Sequence, residues 1–348
     1  MTYPGRLPLA ALMFSILAGA TLFASLWASP TQAQLASHPA MPYVVVETGQ
    51  RFAKLQEAVV SIGLGRGTIR IAPGHYADCA VQTQGEVSFV AEVPGQTVFE
   101  VGMCEGKAAL VLRGVASHVT GLVFNHFAMS DGNGAGIRLE KGNLTVSQSW
   151  FHDSEEGILA DNDPHGSVTV DRSTFTHLGR CDRGLSCAHS IYVGFYDQVT
   201  VTRSRFEKGT GGHYLKARAA HVRVQDNSFD DSQGHATNYM IDLPAGATGR
   251  IEGTWFMQGG AKENPSALIT IAAESHNHSA DGLVITNNVA RFAPGVATGT
   301  ALVADWSGDH MQISNNRIVD GITAFQKRMS HDQVESLKKM AGAVTLGH

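Results

Sequence analysis

Three short segments concentrate the reactive side chains of this chain: AHSIYVG at 188–194, GGHYLKARA at 211–219 and ATNYMIDLPAG at 236–246. In each, apolar residues alternate with polar ones, as in a strand with one buried face. Ile191, Leu215 and Ile241 are set inward, with Val193, Ala217 and Leu243 two places later. Tyr192, Lys216 and Asp242 then point outward, and Arg218 lies beside Lys216. His189, His213, Asn238 and Tyr239 immediately precede those strands. Two cations flanked by a carboxylate suit an acidic sugar or a phosphate. The chemistry such a group could run is proton removal next to a carboxylate, which needs the developing charge stabilised by preorganised cations. Lys216, with its pKa lowered by Arg218, is the expected base, and both cations neutralise the substrate carboxylate. Tyr192 or His213 is the expected proton donor. His189, Asn238, Tyr239, Asp242 and Glu274 are expected to hold the sugar.

A blander reading stands beside this one. Lys216, Arg218 and Asp242 could form an ordinary surface ion network across strands, and the tyrosines could be stacking platforms. C5 epimerisation shares the first proton abstraction and fits the same residues. Glycoside hydrolysis needs two carboxylates roughly 5–9.5 Å apart; Asp242 would need Glu274 or Asp305, from further along the chain. A non-catalytic glycan-binding or envelope scaffold protein would show the residues spread along a flat face instead of converging. No cofactor is expected: a calcium site wants several clustered acidic residues, and His276 and His278 read as solvated loop histidines. The leading reading is lyase-like, with enzyme against binder left open.

A repeat must position these residues. A phrase of the form apolar-x-apolar-x-x-polar-x-apolar recurs through the chain, ending at Phe127, Phe151, Phe175, Phe206, Phe229, Phe256, Ala290 and Ile318. Its register residues are Asn125, Ser149, Ser173, Ser204, Asn227, Thr254, Asn288 and Asn316. A period in the twenties with β-branched alternation means stacked strand units sharing one core. A small polar residue at one corner is what stacked turns need to satisfy buried backbone groups. The second strand of each coil reads GIRLE, GILAD, SIYVG, YLKAR, MIDLP, LITIA and ALVAD, which extends the outward set to Arg138, Thr270 and Val303, with Glu140 and Asp305 beside them.

The 348 residues are 43% hydrophobic and 16% charged, enough for a long narrow core, and the net charge of −5 argues against a nucleic-acid partner. The expected partner is an acidic polysaccharide. Residues 1–33 read as a signal peptide: Arg6, an apolar run from Leu7 to Ala28, and a small-residue site at 29–33 with cleavage after Ala33. That run is also long enough for an uncleaved anchor, the only membrane association expected. Residues 34–50 read as a linker, 51–324 as the solenoid, and 325–348 as a C-terminal helical cap or tail. Phe52 to Ile62 has the spacing of a capping helix. The cysteines Cys79, Cys104, Cys181 and Cys187 suit an oxidising compartment, periplasmic or extracellular. Cys79 and Cys104 flank one coil, and Cys181 and Cys187 could pin a loop, although four cysteines allow three connectivities.

The capping helix, the strand-Pro-Gly-x-Tyr opening at 67–76 and the Asn/Ser ladder together resemble the right-handed parallel β-helix proteins of the pectate-lyase-like superfamily, over roughly residues 50–324. That resemblance implies an all-β, single-stranded right-handed parallel β-helix with an N-terminal capping helix and a C-terminal helix. It implies little about activity, because that superfamily includes lyases, hydrolases, epimerases, esterases and non-catalytic proteins.

Overall fold

Alternating apolar runs broken every few residues by Gly, Asn or Asp leave the chain one economical solution, which is to turn a corner after each short strand. The computed structural model describes residues 40–329. Over these residues the chain winds into three sheets of twelve, ten and ten strands, each coil donating one strand to each sheet. Neighbours within a sheet are therefore one coil apart and parallel. The exceptions are Tyr43–Val45, which pairs antiparallel with both Gln50–Phe52 and Arg66–Ile71. The stretch expected to be a linker thus supplies Tyr43–Val45, which covers the edge of Arg66–Ile71 and extends the first sheet.

The expected capping helix spans Leu55–Ile62 and buries Leu55, Ala58 and Val59. Gln56 fixes it to the first strand of the third sheet by exchanging two hydrogen bonds with the backbone of Val81. At the other end, Ile322–Lys327 is the last strand of the third sheet, where a helix had been expected to begin at Phe325. The strand wins because residue 322 onward can pair with Thr300–Asp305. The rest of that expected helix, and the leader, lie outside the described residues.

The corner ladder is realised over seven coils. The backbone N–H groups of Ser149, Ser173, Ser204, Asn227, Thr254 and Asn288 each donate to the side-chain oxygen of the ladder residue one coil on, ending at Asn316. The residue before each one adopts a left-handed backbone, from Gln148 to Asn315. Asn125 does not belong to this column. Val123 and Phe124 pair with Trp150 and Phe151, which puts Leu122 opposite Ser149, and the left-handed residue there is Gly121. Phe124, not Phe127, therefore joins the aromatic stack through the core. That stack runs Phe99, Phe124, Phe151, Phe175, Phe206, Phe229, Phe256, with successive centroids 4.5–5.9 Å apart. Offset stacking at this spacing adds to the burial of each ring. Cys79 pairs with Cys104 and Cys181 with Cys187, at Cα separations of 5.5 and 4.4 Å.

Candidate functional site

Strict alternation would give the third sheet one outward column. The structure builds two, because each strand opens with two consecutive inward residues. Gly136 and Gly157 take the first inward place in their coils. A Cβ on Gly157 would lie 3.0 Å from the Phe175 ring and 2.6 Å from the Ser190 carbonyl. Ser190, Tyr214, Met240 and Leu268 fill that place in later coils, all buried. The extra inward residue recurs in register from coil to coil and turns the residue before it outward. One column therefore runs Leu159, Tyr192, Lys216, Asp242, Thr270. Three residues earlier in each coil a second runs Glu156, His189, His213, Tyr239. The His189 and His213 rings are 4.9 Å apart, and His213 and Tyr239 are 5.6 Å apart.

The expected column of Tyr192, Lys216 and Asp242 is thus present, with Arg218 beside it. Lys216 Nζ lies 3.1 Å from Asp242 Oδ2 and 2.5 Å from Glu274 Oε1. Glu274 reaches back from the 273–281 loop and gives its other oxygen to Arg218. Arg218 Nε donates to Tyr192 Oη at 3.0 Å, and its guanidinium sits 5.9 Å from the Tyr192 ring. Thr270 donates to the far oxygen of Asp242. Burial pulls Lys216 down, but the Asp242 and Glu274 carboxylates outweigh it and hold the ammonium above its ordinary pKa. With Glu274 and Asp242 in place Lys216 is held as a cation, against the lowered pKa expected from the sequence.

The neutral groups are the histidines. Burial, reinforced for His189 by His213 and Lys216 and for His213 by Lys216, pushes both well below the ordinary imidazole range. His189 Nδ1 accepts the backbone N–H of His213 at 3.0 Å, so its proton is on Nε2. His213 Nδ1, 3.2 Å from the same atom, must then be a donor. The network accordingly assigns the lone pair of His213 to Nε2, 3.5 Å from Asp242 Oδ2. A proton arriving at Nε2 would meet that carboxyl, which burial raises and Lys216 and Thr270 pull back down.

His189, Tyr192, His213, Lys216, Arg218 and Glu274 line one cleft of about 470 Å³. The disulfide loop walls it through Ser186 and Cys187, and Glu274 closes the other side. Asn238 and Tyr239 stand outside it. Asn238 donates to Glu263, and Tyr239 Oη accepts from Asn264. His276 pairs with Asp309, and the His278 ring packs against Phe195. Val303 is not outward: Thr270 pairs with Ala304 and Ile269 with Val303. One residue of slip exchanges the two faces of a strand. Asp305 is consequently buried and occupied with Ser307 and Gly308, too far committed to serve as a second acid.

The sequence reading missed Glu156. Its side chain is 1% exposed, lines the cleft, and leaves Oε2 without a partner. The signal was available: Glu156 stands three places before Leu159, as His189 does before Tyr192 and His213 before Lys216.

Stacked parallel coils with a walled cleft on one sheet define the class, a parallel β-helix protein. The family described as "Right handed beta helix region" matches residues 135–318, more than half of the chain and all of the cleft strands. The chain belongs to that family. No curated protein and no solved structure matches it.

Proposed function

We propose that this protein acts on a uronate-bearing polysaccharide by removing the proton next to the carboxylate, most simply in β-elimination. The observation that carries this is the clamp of Lys216 and Arg218 on the two oxygens of one carboxylate, here Glu274. A uronate carboxylate displacing Glu274 would be held the same way, and the charge that develops as its α-proton leaves would face two fixed cations. His213 Nε2, neutral and in the cleft, is the base, with Asp242 placed to steady the imidazolium. Tyr192 is the proton donor to the leaving oxygen, and Arg218 at its hydroxyl stabilises the phenolate. Carbon–oxygen cleavage, one proton to His213 and one from Tyr192, leaves an unsaturated uronate. Epimerisation would share all but the last transfer.

Hydrolysis is less well supported. Asp242 and Glu274, the pair hydrolysis would need, both bind Lys216 Nζ, at 3.1 and 2.5 Å, and Glu274 also binds Arg218, so both carboxylates serve as counter-ions of the cation clamp. Export is part of the same reading, since two disulfides suit an oxidising compartment.

The test is ultraviolet absorbance of unsaturated uronate while the purified protein is incubated with a panel of acidic polysaccharides. Product that forms with wild type and disappears in His213→Gln and Lys216→Ala supports the reading. Undiminished product in His213→Gln removes the base, and a flat wild-type trace with retention on one glycan favours a binding protein.

A further inference from the structure

The outward column that carries Lys216 continues past the cleft to a second cation. Across neighbouring strands it runs Lys216, Tyr192, Leu159, Arg138. Three strand spacings separate the two cations, roughly 14 Å. Tyr192 and Leu159 both line the cleft and make an aromatic and apolar floor between them. One sugar unit cannot touch both cations. A glycan lying along the stack passes each in turn, with the apolar faces of its sugars against that floor.

Arg138 is held more loosely than the cations around it. Lys107 and Arg113 are each shared between Glu105 and Glu140. Arg183 is bonded to Glu155, and Lys216 and Arg218 to Glu274. Among the described residues Arg138 has one ion pair, a 3.5 Å contact from Nη2 to Asp161, whose side chain is 51% exposed. Glu156 and Tyr196 lie within its electrostatic reach. Neither completes it, because Arg138 Nε, Glu156 Oε2 and Tyr196 Oη are all without partners. Burial also holds Glu156 well above the ordinary carboxyl range, so it does not already neutralise the guanidinium. A contact as long as that to Asp161 is worth little at the surface. An arriving carboxylate therefore gives up almost nothing by displacing Asp161, and a planar guanidinium can take it through two donors.

Resting on the uronate reading above, we propose that Arg138 is a second anchor for a substrate carboxylate, so that the protein recognises a stretch of glycan with acidic groups on separate units, one at the Lys216–Arg218 clamp and one three coils away. Arg138 touches no reacting atom. It is a binding residue that fixes where along the glycan the clamp takes hold. The spacing creates a length requirement: a short oligouronate fills the clamp alone, and only a longer one crosses the floor to Arg138.

Calorimetry with two uronate series, galacturonate and mannuronate, each as the dimer and the hexamer, tests this. In a series that wild type binds, the hexamer should bind more tightly than the dimer and lose more affinity as salt is added. Arg138→Gln should weaken the hexamer about fivefold, the scale of one partly exposed charged contact, and leave the dimer within about twofold. Dimer binding also shows that the variant is folded, since the clamp alone holds the dimer. An unchanged hexamer in Arg138→Gln, or equal losses on both lengths, overturns the anchor and leaves the clamp standing. Unchanged binding of both lengths in Lys216→Ala, or no binding of either series by wild type, overturns the uronate reading and the anchor with it.

Discussion

Replacing Glu274 by Gln separates a clamp awaiting a ligand from a finished surface ion network. In the free protein Glu274 gives one oxygen to each of Lys216 and Arg218, so any incoming carboxylate must displace it. Charge-assisted hydrogen bonds of this kind are worth about 1.5–3 kcal/mol each when buried. The Glu274 side chain is 44% exposed, however, and solvent screening brings each contact nearer 0.5–1 kcal/mol. Removing the competitor therefore stabilises the uronate complex by roughly 1–2 kcal/mol, a five- to thirtyfold tightening. Asp242 still neutralises Lys216 in the variant, which leaves Arg218 as the newly available cation. Calorimetric titration with a short uronate oligosaccharide should show the tightening at low salt and its decline as salt is added. Arg218→Ala should move affinity the other way. Weaker binding in Glu274→Gln would refute the argument, making Glu274 a support for the cations or a direct ligand contact. Unchanged binding would put the carboxylate elsewhere.

Two further perturbations follow from buried charge. Lys262 and Asp231 form an ion pair 3.0 Å apart with side chains 1% and 0% exposed, and Tyr214 and Thr237 also donate to Asp231. Lys262→Met strands that carboxylate and should cost about 3–5 kcal/mol in denaturant unfolding, while adding Asp231→Leu should recover most of it; equal losses in the single and double variants would contradict this. His189 and His213 are held neutral in the fold by burial. Between the ordinary imidazole pKa of about 6.5 and their lower folded values, the unfolded chain binds more protons, so stability should fall as pH falls through that window. Melting temperature against pH should show a shallower slope in the His189→Gln/His213→Gln double variant, and identical slopes would mean that other groups set the acid limb.

How much of this was legible in the sequence depends on which period governs the residue. Strand alternation and the coil repeat are local and periodic, so they yielded the solenoid, the ladder from Ser149 to Asn316, and the column of Tyr192, Lys216 and Asp242. Where a residue departs from strict alternation the same reasoning failed. Glu156 was hidden by the extra inward residue at Gly157, and Val303 was assigned to the wrong face by one residue. Asn125 was misplaced because Leu122 takes the ladder position in its coil.

The sequence by itself therefore determined the class of fold and the sheet on which the reactive residues gather, because hydrophobic period and corner chemistry are written along the chain. The tertiary structure decided what those residues can do. Glu274 comes 58 positions after Lys216 to fix its charge. His189 and His213 lose theirs to burial, and Glu156 is buried beside the cleft with one carboxyl oxygen unpartnered. Proton affinity is set by neighbours in space and by exclusion of water, and neither is carried by a residue's position in the repeat.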